Sequence, residues 1–485
     1  MWTGALFALN ALLNLGLALA LAWVLPAASY GAFTVYFATA LLIGNLAYDW
    51  ARFGAMRFYT PTARLAEPQV RATLDASFLA STGIAVALVM AFAVTGALPE
   101  AGPASLGALL AVVAANAGYE YWTALCRARF DTRRYAVMVA ARNALTFGLA
   151  VPLAALSKSY VVTMAAFAAA VAPAIVYGVV RLRDPSARLK LATRALALRF
   201  ARYAAPLVLA EGCYLAIMVA NRAFLAHRFS LVEAGAYALT FDLAFRTLAV
   251  TASVGDAVLF PRLVAKLHVQ GAARTRAEVS RNIAVMLLVL APAAVGFALI
   301  AEPLAQVMLA EHFRQAFARF SPIAVAAAFV YTVQTYVLRP AFQVELRTAD
   351  MPLAAVAAIA VNVTVLAVWP GEGVLGASLA HLAGLCVGLG LVLRRAIAAR
   401  LIDWPMRDIG KIALGVAGLA LCVWATGFDG RPLATLLARG SLGIIVYGLV
   451  AWWLDIAGLR ALIFPNAARR LRQPPARAEQ RTTPI

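Results

Sequence analysis

Long apolar runs separated by short polar segments dominate this sequence. A bilayer core about 30 Å thick is crossed by roughly 20 apolar residues in a helix, because each residue advances the helix by about 1.5 Å. The runs reach that length and lack the alternation that is typical of barrel strands. The sequence therefore predicts an all-α polytopic membrane protein, and a hydrophobic fraction of 64% excludes a soluble globular protein.

About fourteen transmembrane helices are predicted, each bounded by charged residues, proline or glycine. The predicted spans are Thr3–Leu25, Gly31–Ala55, Leu74–Leu98, Ser105–Leu125, Tyr135–Leu156, Tyr160–Val180, Tyr203–Ala226, Ala234–Leu259, Ile283–Ala301, Pro322–Phe342, Pro352–Trp369, Val374–Leu393, Ile412–Thr426 and Leu433–Asp455.

Basic residues collect in every second gap between these spans. Residues 127–134 and 181–202 are rich in arginine, whereas the gaps that alternate with these segments hold few basic residues, such as Lys158 and Arg228. Cytoplasmic loops of membrane proteins contain more Lys and Arg than the loops on the other side. This positive-inside rule predicts that the basic gaps and both termini are cytoplasmic, and therefore that the number of spans is even. The net charge of +20 then indicates topology and attraction to anionic lipid, and not nucleic-acid binding.

Targeting and cofactor signals are few. The first span lacks a basic preceding segment, which favours a retained helix over a cleaved signal peptide. The basic tail 464–485 is predicted to be disordered. Four dispersed cysteines and four scattered histidines have no disulfide or metal-ligand pattern, and no nucleotide-binding loop or nucleophile motif is present. No cofactor, metal site or catalytic residue is predicted, so we expect a protein that is not an enzyme.

An internal repeat divides the chain. Residues 30–33, Tyr-Gly-Ala-Phe, precede the second span, and residues 234–237, Ala-Gly-Ala-Tyr, precede the eighth. A second repeated position is Asn143 of the fifth span, which corresponds to Asn362 of the eleventh. Six spans separate the copies, which predicts two six-helix lobes inserted the same way up and related by an axis along the membrane normal. The predicted units are an N-terminal lobe 1–182, a basic cytoplasmic linker 183–202, a C-terminal lobe 203–395 and two extra helices within 411–458.

Charged residues inside the spans predict a polar cavity for transport. Each such charge costs about 2.5–3.5 kcal/mol on insertion scales, so several of them require partners or water. In the eighth span Asp242, Arg246, Ala249, Ser253 and Asp256 fall on one helical face. Arginines predicted to bind substrate are Arg52, Arg142, Arg222, Arg246 and Arg339. Carboxylates predicted to line the cavity or couple transport to an ion are Asp49, Glu120, Glu211 and Asp242.

Two structural alternatives accompany these sites. Asp49 with Arg52, and Asp242 with Arg246, have the spacing of ion pairs that lock a helix bundle. Arg52 and Arg339 lie towards the cytoplasmic ends of their spans, where a long side chain can reach the headgroups.

Several motifs resemble the polysaccharide transporter and O-antigen flippase family, part of the multidrug, oligosaccharidyl-lipid and polysaccharide exporter superfamily. They are the entry to span two at residues 29–33, its copy at 233–237, the Phe-Pro-Arg-Leu sequence at 260–263 and the basic link 127–135. The resemblance implies two six-helix lobes around a central cavity, two additional C-terminal helices and a polyprenyl-diphosphate-linked glycan as cargo. Members often place an acidic residue before the arginine near the end of span seven, whereas this chain has Asn221-Arg222.

The resemblance and the intramembrane charges together predict a flippase for lipid-linked oligosaccharide in the cytoplasmic membrane of a bacterium. Its expected partners are membrane lipid and the glycosyltransferases and polymerase of the same pathway, but not nucleic acid. Export of a drug or metabolite is an alternative. A membrane glycan ligase or polymerase is another, for which only the longest outer connection, Glu302 to Ser321, offers space. The phenylalanines of that connection favour an interfacial helix.

Overall fold

The computed structural model describes residues 13, 15–344, 350–369, 371–428 and 430–460. The N-terminal part of the first predicted span, the basic residue Arg347 and the tail 464–485 lie outside the described residues. Within the described part the chain is almost entirely helical, as the length and uniformity of the apolar runs predict.

Fourteen long helical segments follow one another in the predicted order, and a six-residue helix, Pro61–Ala66, lies between the second and the third. We label them α1 to α14: Leu15–Val24, Ala27–Phe58, Pro68–Val94, Pro103–Ala128, Thr132–Ser157, Tyr160–Arg181, Arg194–Arg228, Leu231–Phe260, Thr275–Met308, Glu311–Val344, Asp350–Val368, Gly373–Ala398, Met406–Ala425 and Pro432–Trp453.

The lengths of these segments fit a membrane. Among the described residues, twelve helices are long and apolar enough to cross a bilayer. Helix α4 has 26 residues and is also long enough, and α1 is the described end of the first predicted span. The predicted all-α polytopic fold is therefore confirmed.

The predicted cytoplasmic loop between the eighth and ninth spans is helical instead. Residues 261–274, which lie within the predicted loop, have helical backbone conformation like the segments on either side. The chain reverses direction within this stretch. The Lys266 ammonium lies 2.6 Å from the Glu278 carboxylate, whereas in a straight helix the two residues would be about 18 Å apart along the axis. Gly255 of α8 also packs against Met286 of α9, so the two segments run antiparallel as predicted.

Two helices change their winding in the middle. Residues Thr146–Ala150 of α5 and Val333–Leu338 of α10 form π-helical turns. A π-helical turn inserts an extra residue and rotates the following side chains around the helix axis. A helical-face prediction that crosses either turn is therefore expected to fail.

The repeated glycines meet where the first turns of α2 and α8 cross. A Cβ atom on Gly31 of α2 would overlap the carbonyl oxygen of Leu231, and one on Gly235 of α8 would lie 3.1 Å from the Gly31 Cα. The aromatic residues that follow also match, since Phe33 stacks on Phe37 and Tyr237 on Phe241. The sequence repeat thus corresponds to two similar helix starts that cross with their backbones in contact.

Helix α2 joins the two halves of the chain. It packs against α3, α4 and α6 on one side and against α7 and α8 on the other. At one end of the bundle Phe58 stacks on Phe200 of α7, and the ends of α4 and α6 lie nearby. We call this arginine-rich end the basic end. At the opposite end, Trp23 donates a hydrogen bond to the Met308 carbonyl oxygen and Lys158 donates one to that of Val24.

The last two helices attach to one side of the bundle. Helices α13 and α14 pack on each other and on α9. The Tyr447 hydroxyl donates a hydrogen bond of 2.8 Å to the Leu288 carbonyl oxygen, within a cluster that also contains Ile412. These helices are therefore additions to α1–α12, in agreement with the prediction of two extra C-terminal helices.

Candidate functional site

A cavity of about 460 Å³ lies between the two halves of the chain. Helices α1 and α2 form one wall, α8 forms the other, and α5, α6, α7 and α10 each contribute one side chain. Its lining is mostly apolar or aromatic, with a few convergent polar groups: Leu17, Ala18, Leu21, Tyr30, Phe33, Thr34, Phe37, Leu41, Arg142, Phe167, Arg222, Asp242, Arg246, Ala249, Val250, Ser253, Val254 and Tyr336. This composition is typical of a small-molecule or headgroup site.

Three of the five predicted arginines meet in this cavity. Arg142, Arg222 and Arg246 come from three different helices, and the only carboxylate in the described lining is Asp242. Three positive charges and one negative charge leave a formal excess of +2. An apolar enclosure strengthens the electrostatic interaction of these charges with a ligand, because fewer water molecules screen them.

Arg142 has no carboxylate within 4.0 Å in the part of the chain that the structure describes. Its guanidinium lies 4.4 Å from the ring centre of Tyr119 and 5.8 Å from that of Phe167. One nitrogen is 3.4 Å from the Asn116 side-chain oxygen. Aromatic faces and an amide hold the cation in place without neutralising it, so Arg142 keeps its charge for a ligand.

Arg222 is bound within the protein. Its side chain is 4% exposed, and it donates a hydrogen bond of 2.5 Å to Asp242 and one of 3.0 Å to the Thr34 carbonyl oxygen. The first bond joins α7 to α8, and the second joins α7 to α2. Arg222 therefore links the two halves next to the cavity, and Asp242 pairs with it across helices.

The neighbouring Asn221 belongs to a neutral network. Its side-chain oxygen accepts a hydrogen bond of 3.3 Å from Asn362 of α11, and its own amide donates to the Ile217 carbonyl oxygen. Both asparagines are fully buried. The position at which the sequence departs from the family pattern is thus occupied by an amide that pairs with another amide.

The helical face predicted for α8 lines the cavity. Asp242, Arg246, Ala249 and Ser253 all contribute to the wall, as their spacing predicts. Asp256, one turn further, lines a much smaller neighbouring cavity with Tyr336 and Pro340. Because α8 contains no π-helical turn, the regular period holds along this face.

Arg52 lies in a separate ion cluster nearer the basic end. Its guanidinium is 2.9 Å from Asp49, 3.1 Å from Glu211 and 3.7 Å from Glu120. Arg127 approaches Glu120 at 4.0 Å. Three of the four predicted carboxylates therefore surround one predicted arginine, and none of these four residues lines the cavity. The pair Arg52–Glu211 connects α2 to α7.

Arg339 does not contribute to the cavity wall either. Tyr331, Thr335 and Arg339 would share one face of a regular helix, but this stretch of α10 contains the π-helical turn Val333–Leu338. Tyr336, which that period leaves off the face, lines the cavity instead, and the Arg339 side chain is exposed. The extra residue of the π turn is the physical reason for the difference.

Other wall residues escape prediction because they are apolar. Tyr30 and Phe33 belong to the repeated motif at residues 30–33 and Phe37 lies one turn later, so that motif is the one sequence signal that points to them. Two other aromatic residues within the spans have contacts of their own in the structure. Tyr119 lies under Arg142, and Tyr214 accepts a hydrogen bond from Gln334.

Known structures share this fold. The chain is similar to the lipid II flippase MurJ in an inward closed conformation, with a TM-score of 0.71 over 97% of this chain and 100% of that chain, at 12% sequence identity. It is also similar to an inward-facing multidrug resistance MATE family transporter of the MOP superfamily, with a TM-score of 0.61 over 81% of this chain and 96% of that chain, at 13% identity.

At such identities the likeness shows the fold alone. No model of a known protein family matches the sequence, and no curated protein matches it either. The chain therefore shares the polytopic all-helical fold of these two structures. Its resemblance to the O-antigen flippase family remains a prediction from the sequence motifs.

Proposed function

We propose that this chain is a flippase that moves a polyprenyl-diphosphate-linked oligosaccharide from the inner to the outer leaflet of a bacterial cytoplasmic membrane. The cargo would serve surface polysaccharide synthesis, as O-antigen, capsule or exopolysaccharide. The observation that carries the proposal is the cavity between the two halves, with its three guanidinium groups and single carboxylate. The basic end faces the cytoplasm in this proposal, as do both termini.

The charge of the cavity suits a diphosphate. A formal excess of +2 balances the roughly two negative charges of a diphosphate diester, in a wall that is otherwise apolar. Guanidinium groups bind phosphate oxygens through paired hydrogen bonds, which is why arginine serves this role better than lysine. Arg142 is the first contact, since no carboxylate within 4.0 Å competes for it among the described residues.

Alternating access would use the contacts of α2 with the second half. At the opposite end, Gly31 and Gly235 close the bundle with their backbones in contact. At the basic end, the Arg52–Glu211 pair and the Phe58–Phe200 stack hold α2 against α7. Rocking of the halves would break one set of contacts while the other set forms, so that the cavity opens first to one side and then to the other. Asp49 and Glu120 would keep Arg52 paired whenever Glu211 leaves.

The lipid tail need not enter this cavity. A volume of about 460 Å³ suits a headgroup and is small for a long polyprenyl chain. The tail would stay in the surrounding lipid between the lobes, where apolar groups cost nothing to solvate. The arginines would thus neutralise only the part of the cargo that lipid rejects.

An exporter of drugs or metabolites is the second candidate. The similarity to a MATE transporter and the aromatic wall formed by Tyr30, Phe33 and Phe37 favour it. A glycan ligase or polymerase has less support, because α9 ends at Met308 and α10 begins at Glu311. Only two residues then remain between helices in the connection that offered space for catalysis.

A reconstituted assay tests the proposal. Proteoliposomes containing the purified chain would receive polyprenyl diphosphate linked to one fluorescent sugar, and a membrane-impermeant quencher would report its leaflet. We expect flipping of this probe and none of a polyprenyl probe without phosphate. Transport of an amphipathic cationic dye together with no flipping of the diphosphate would overturn the proposal in favour of drug export.

A further inference from the structure

The segment between α6 and α7, together with the first turns of α7, carries a strong positive charge on its exposed side. Residues 183–202 contain six basic residues and one acidic residue, a formal charge of +5. All six basic side chains are exposed: Arg183, Arg188, Lys190, Arg194, Arg199 and Arg202. In the part of the chain that the structure describes, no carboxylate lies within 4.0 Å of any of them.

The single acidic residue faces the protein. The Asp184 side chain is 10% exposed, and its carboxylate accepts a hydrogen bond from the Tyr59 hydroxyl. Arg129 approaches the same carboxylate at 3.5 Å and donates a 2.8 Å hydrogen bond to the Leu182 carbonyl oxygen. Burial and the hydrogen bond to Asp184 raise the pKa of Tyr59, which keeps its hydroxyl a donor. The outward side of the segment is therefore left with cations alone.

Apolar side chains lie exposed among these cations. A single 3-10 turn, Leu189–Leu191, presents Leu189 at 53% and Leu191 at 38% exposure, with Arg188 and Lys190 beside them. Exposed leucines next to solvated charges are unfavourable in water. They are favourable at the boundary between headgroups and acyl chains, where the leucines enter lipid and the cations stay with the phosphates.

Contacts with α3 hold the segment at the membrane boundary. The Thr193 amide donates a 3.0 Å hydrogen bond to the Thr73 hydroxyl, and Thr73 stands directly before the apolar run that begins at Leu74. On the other side, α6 ends at Arg181 after 22 residues, about the length of one bilayer crossing. Residues 182–193 therefore connect two helix ends at the level of the headgroups.

We infer that residues 183–194 form a binding surface for anionic phospholipid headgroups of the leaflet in which the protein sits. Clusters of four to eight basic residues directly outside a transmembrane helix attract anionic lipid. Each basic residue near the surface raises the affinity for anionic lipid about fivefold. Because this segment is the covalent connection between the two halves, bound lipid would restrain the joint about which they move. The inference needs only the placement of the basic end at a membrane surface, and it is independent of the cargo.

Hydrogen exchange of the full chain in nanodiscs tests the surface. Amide exchange in residues 186–193 would be compared between phosphatidylcholine discs and discs that also contain phosphatidylglycerol. We expect exchange to slow about tenfold or more with phosphatidylglycerol, since several cations act together. High salt should remove the effect because it screens exposed charges.

A matched pair of variants separates this surface from charge in general. The triple variant Arg188→Gln, Lys190→Gln, Arg194→Gln should lose the lipid effect. The control Arg394→Gln, Arg400→Gln, Arg407→Gln removes the same charge from another exposed segment at the basic end and should keep it. Equal exchange in both kinds of disc, or loss of the effect in the control as well, would overturn the inference. Since no cargo is present, either result leaves the proposed function to its own assay.

Discussion

Individual arginines in this protein have different environments although the sequence makes them look alike. Arg142 is held by aromatic rings, Arg222 by a carboxylate and a carbonyl, and Arg52 by three carboxylates. A cation surrounded by carboxylates has little free energy left for an anionic ligand. A cation that lies on aromatic faces keeps most of its free energy of interaction for such a ligand. The three residues should therefore respond differently to neutralisation.

Neutralising Arg142 should impair binding without harming the fold. We expect Arg142→Gln to weaken binding of a polyprenyl diphosphate by about tenfold or more, since a hydrogen bond to a charged group contributes roughly 1.5–3 kcal/mol. Calorimetry on detergent-purified protein measures the affinity, and thermal unfolding checks the fold. Arg142→Lys keeps the charge and should bind better than Arg142→Gln. Unchanged affinity in both variants would remove Arg142 from the site.

Neutralising Arg222 should instead destabilise the protein. Arg222→Gln leaves the Asp242 carboxylate without its 2.5 Å partner and the Thr34 carbonyl without its donor. Breaking a buried ion pair on one side costs about 3–5 kcal/mol, so the unfolding temperature should fall clearly. The double variant Arg222→Gln, Asp242→Asn should recover part of the loss. If the double variant is less stable than the single variant, the pair is not the cause.

At the scale of helices, contacts of α2 with the second half decide how the halves meet. The crossing with α8 depends on Gly31 and Gly235, and the contact with α7 depends on Arg52, Glu211 and the stacked Phe58 and Phe200. One contact is steric and lies at the opposite end. The other is electrostatic and aromatic, and lies towards the basic end.

A methyl group at the glycine crossing should separate α2 from α8. Gly31→Ala would place its Cβ on the Leu231 carbonyl, which is backbone and has little room to move. We expect faster cysteine labelling of residues beside the crossing and a loss of transport. Gly44→Ala in the same helix meets nothing within 4 Å and should be neutral or slightly stabilising. Equal effects of the two substitutions would show that helix propensity, and not the crossing, is responsible.

Reversing the charges of the Arg52–Glu211 pair tests the contact at the basic end. Arg52→Glu places four carboxylates together and should reduce transport strongly, because like charges repel across α2 and α7. Adding Glu211→Arg restores an opposite pair and should recover part of the activity in the flipping assay. Asp49→Asn, which leaves the contact between the two helices in place, serves as the control. Absence of rescue would argue against a direct contact that opens and closes.

At the scale of the whole molecule, orientation follows from charge. The basic end collects the ends of α2, α4 and α6 and the start of α7, together with most of the arginines. Reporters inserted at Ser186 should therefore indicate cytoplasm, and reporters at Ser157 should indicate the outside. Fusions of a phosphatase and of a fluorescent protein at the same two sites give opposite signals and control for expression. The reverse pattern would invert the direction of the proposed transport.

The apolar runs alone were sufficient to predict the long helices α1 to α14. Length and hydropathy determine whether a segment crosses a bilayer, and both are local properties, so the fourteen segments and the repeat at Gly31 and Gly235 were predictable from the sequence. The helical connection between α8 and α9 was not, because hydropathy does not distinguish a polar loop from a polar helix.

Only the tertiary structure decided which charges share a cavity. The sequence placed Arg52, Arg142, Arg222, Arg246 and Arg339 inside spans, but their grouping depends on the rotation of each helix and on its neighbours. The π-helical turn of α10 places Tyr336, and not the predicted Arg339, in the cavity wall. Glu211 of α7 belongs to the ion cluster around Arg52 of α2. Such contacts join residues more than a hundred positions apart, and no local period contains them.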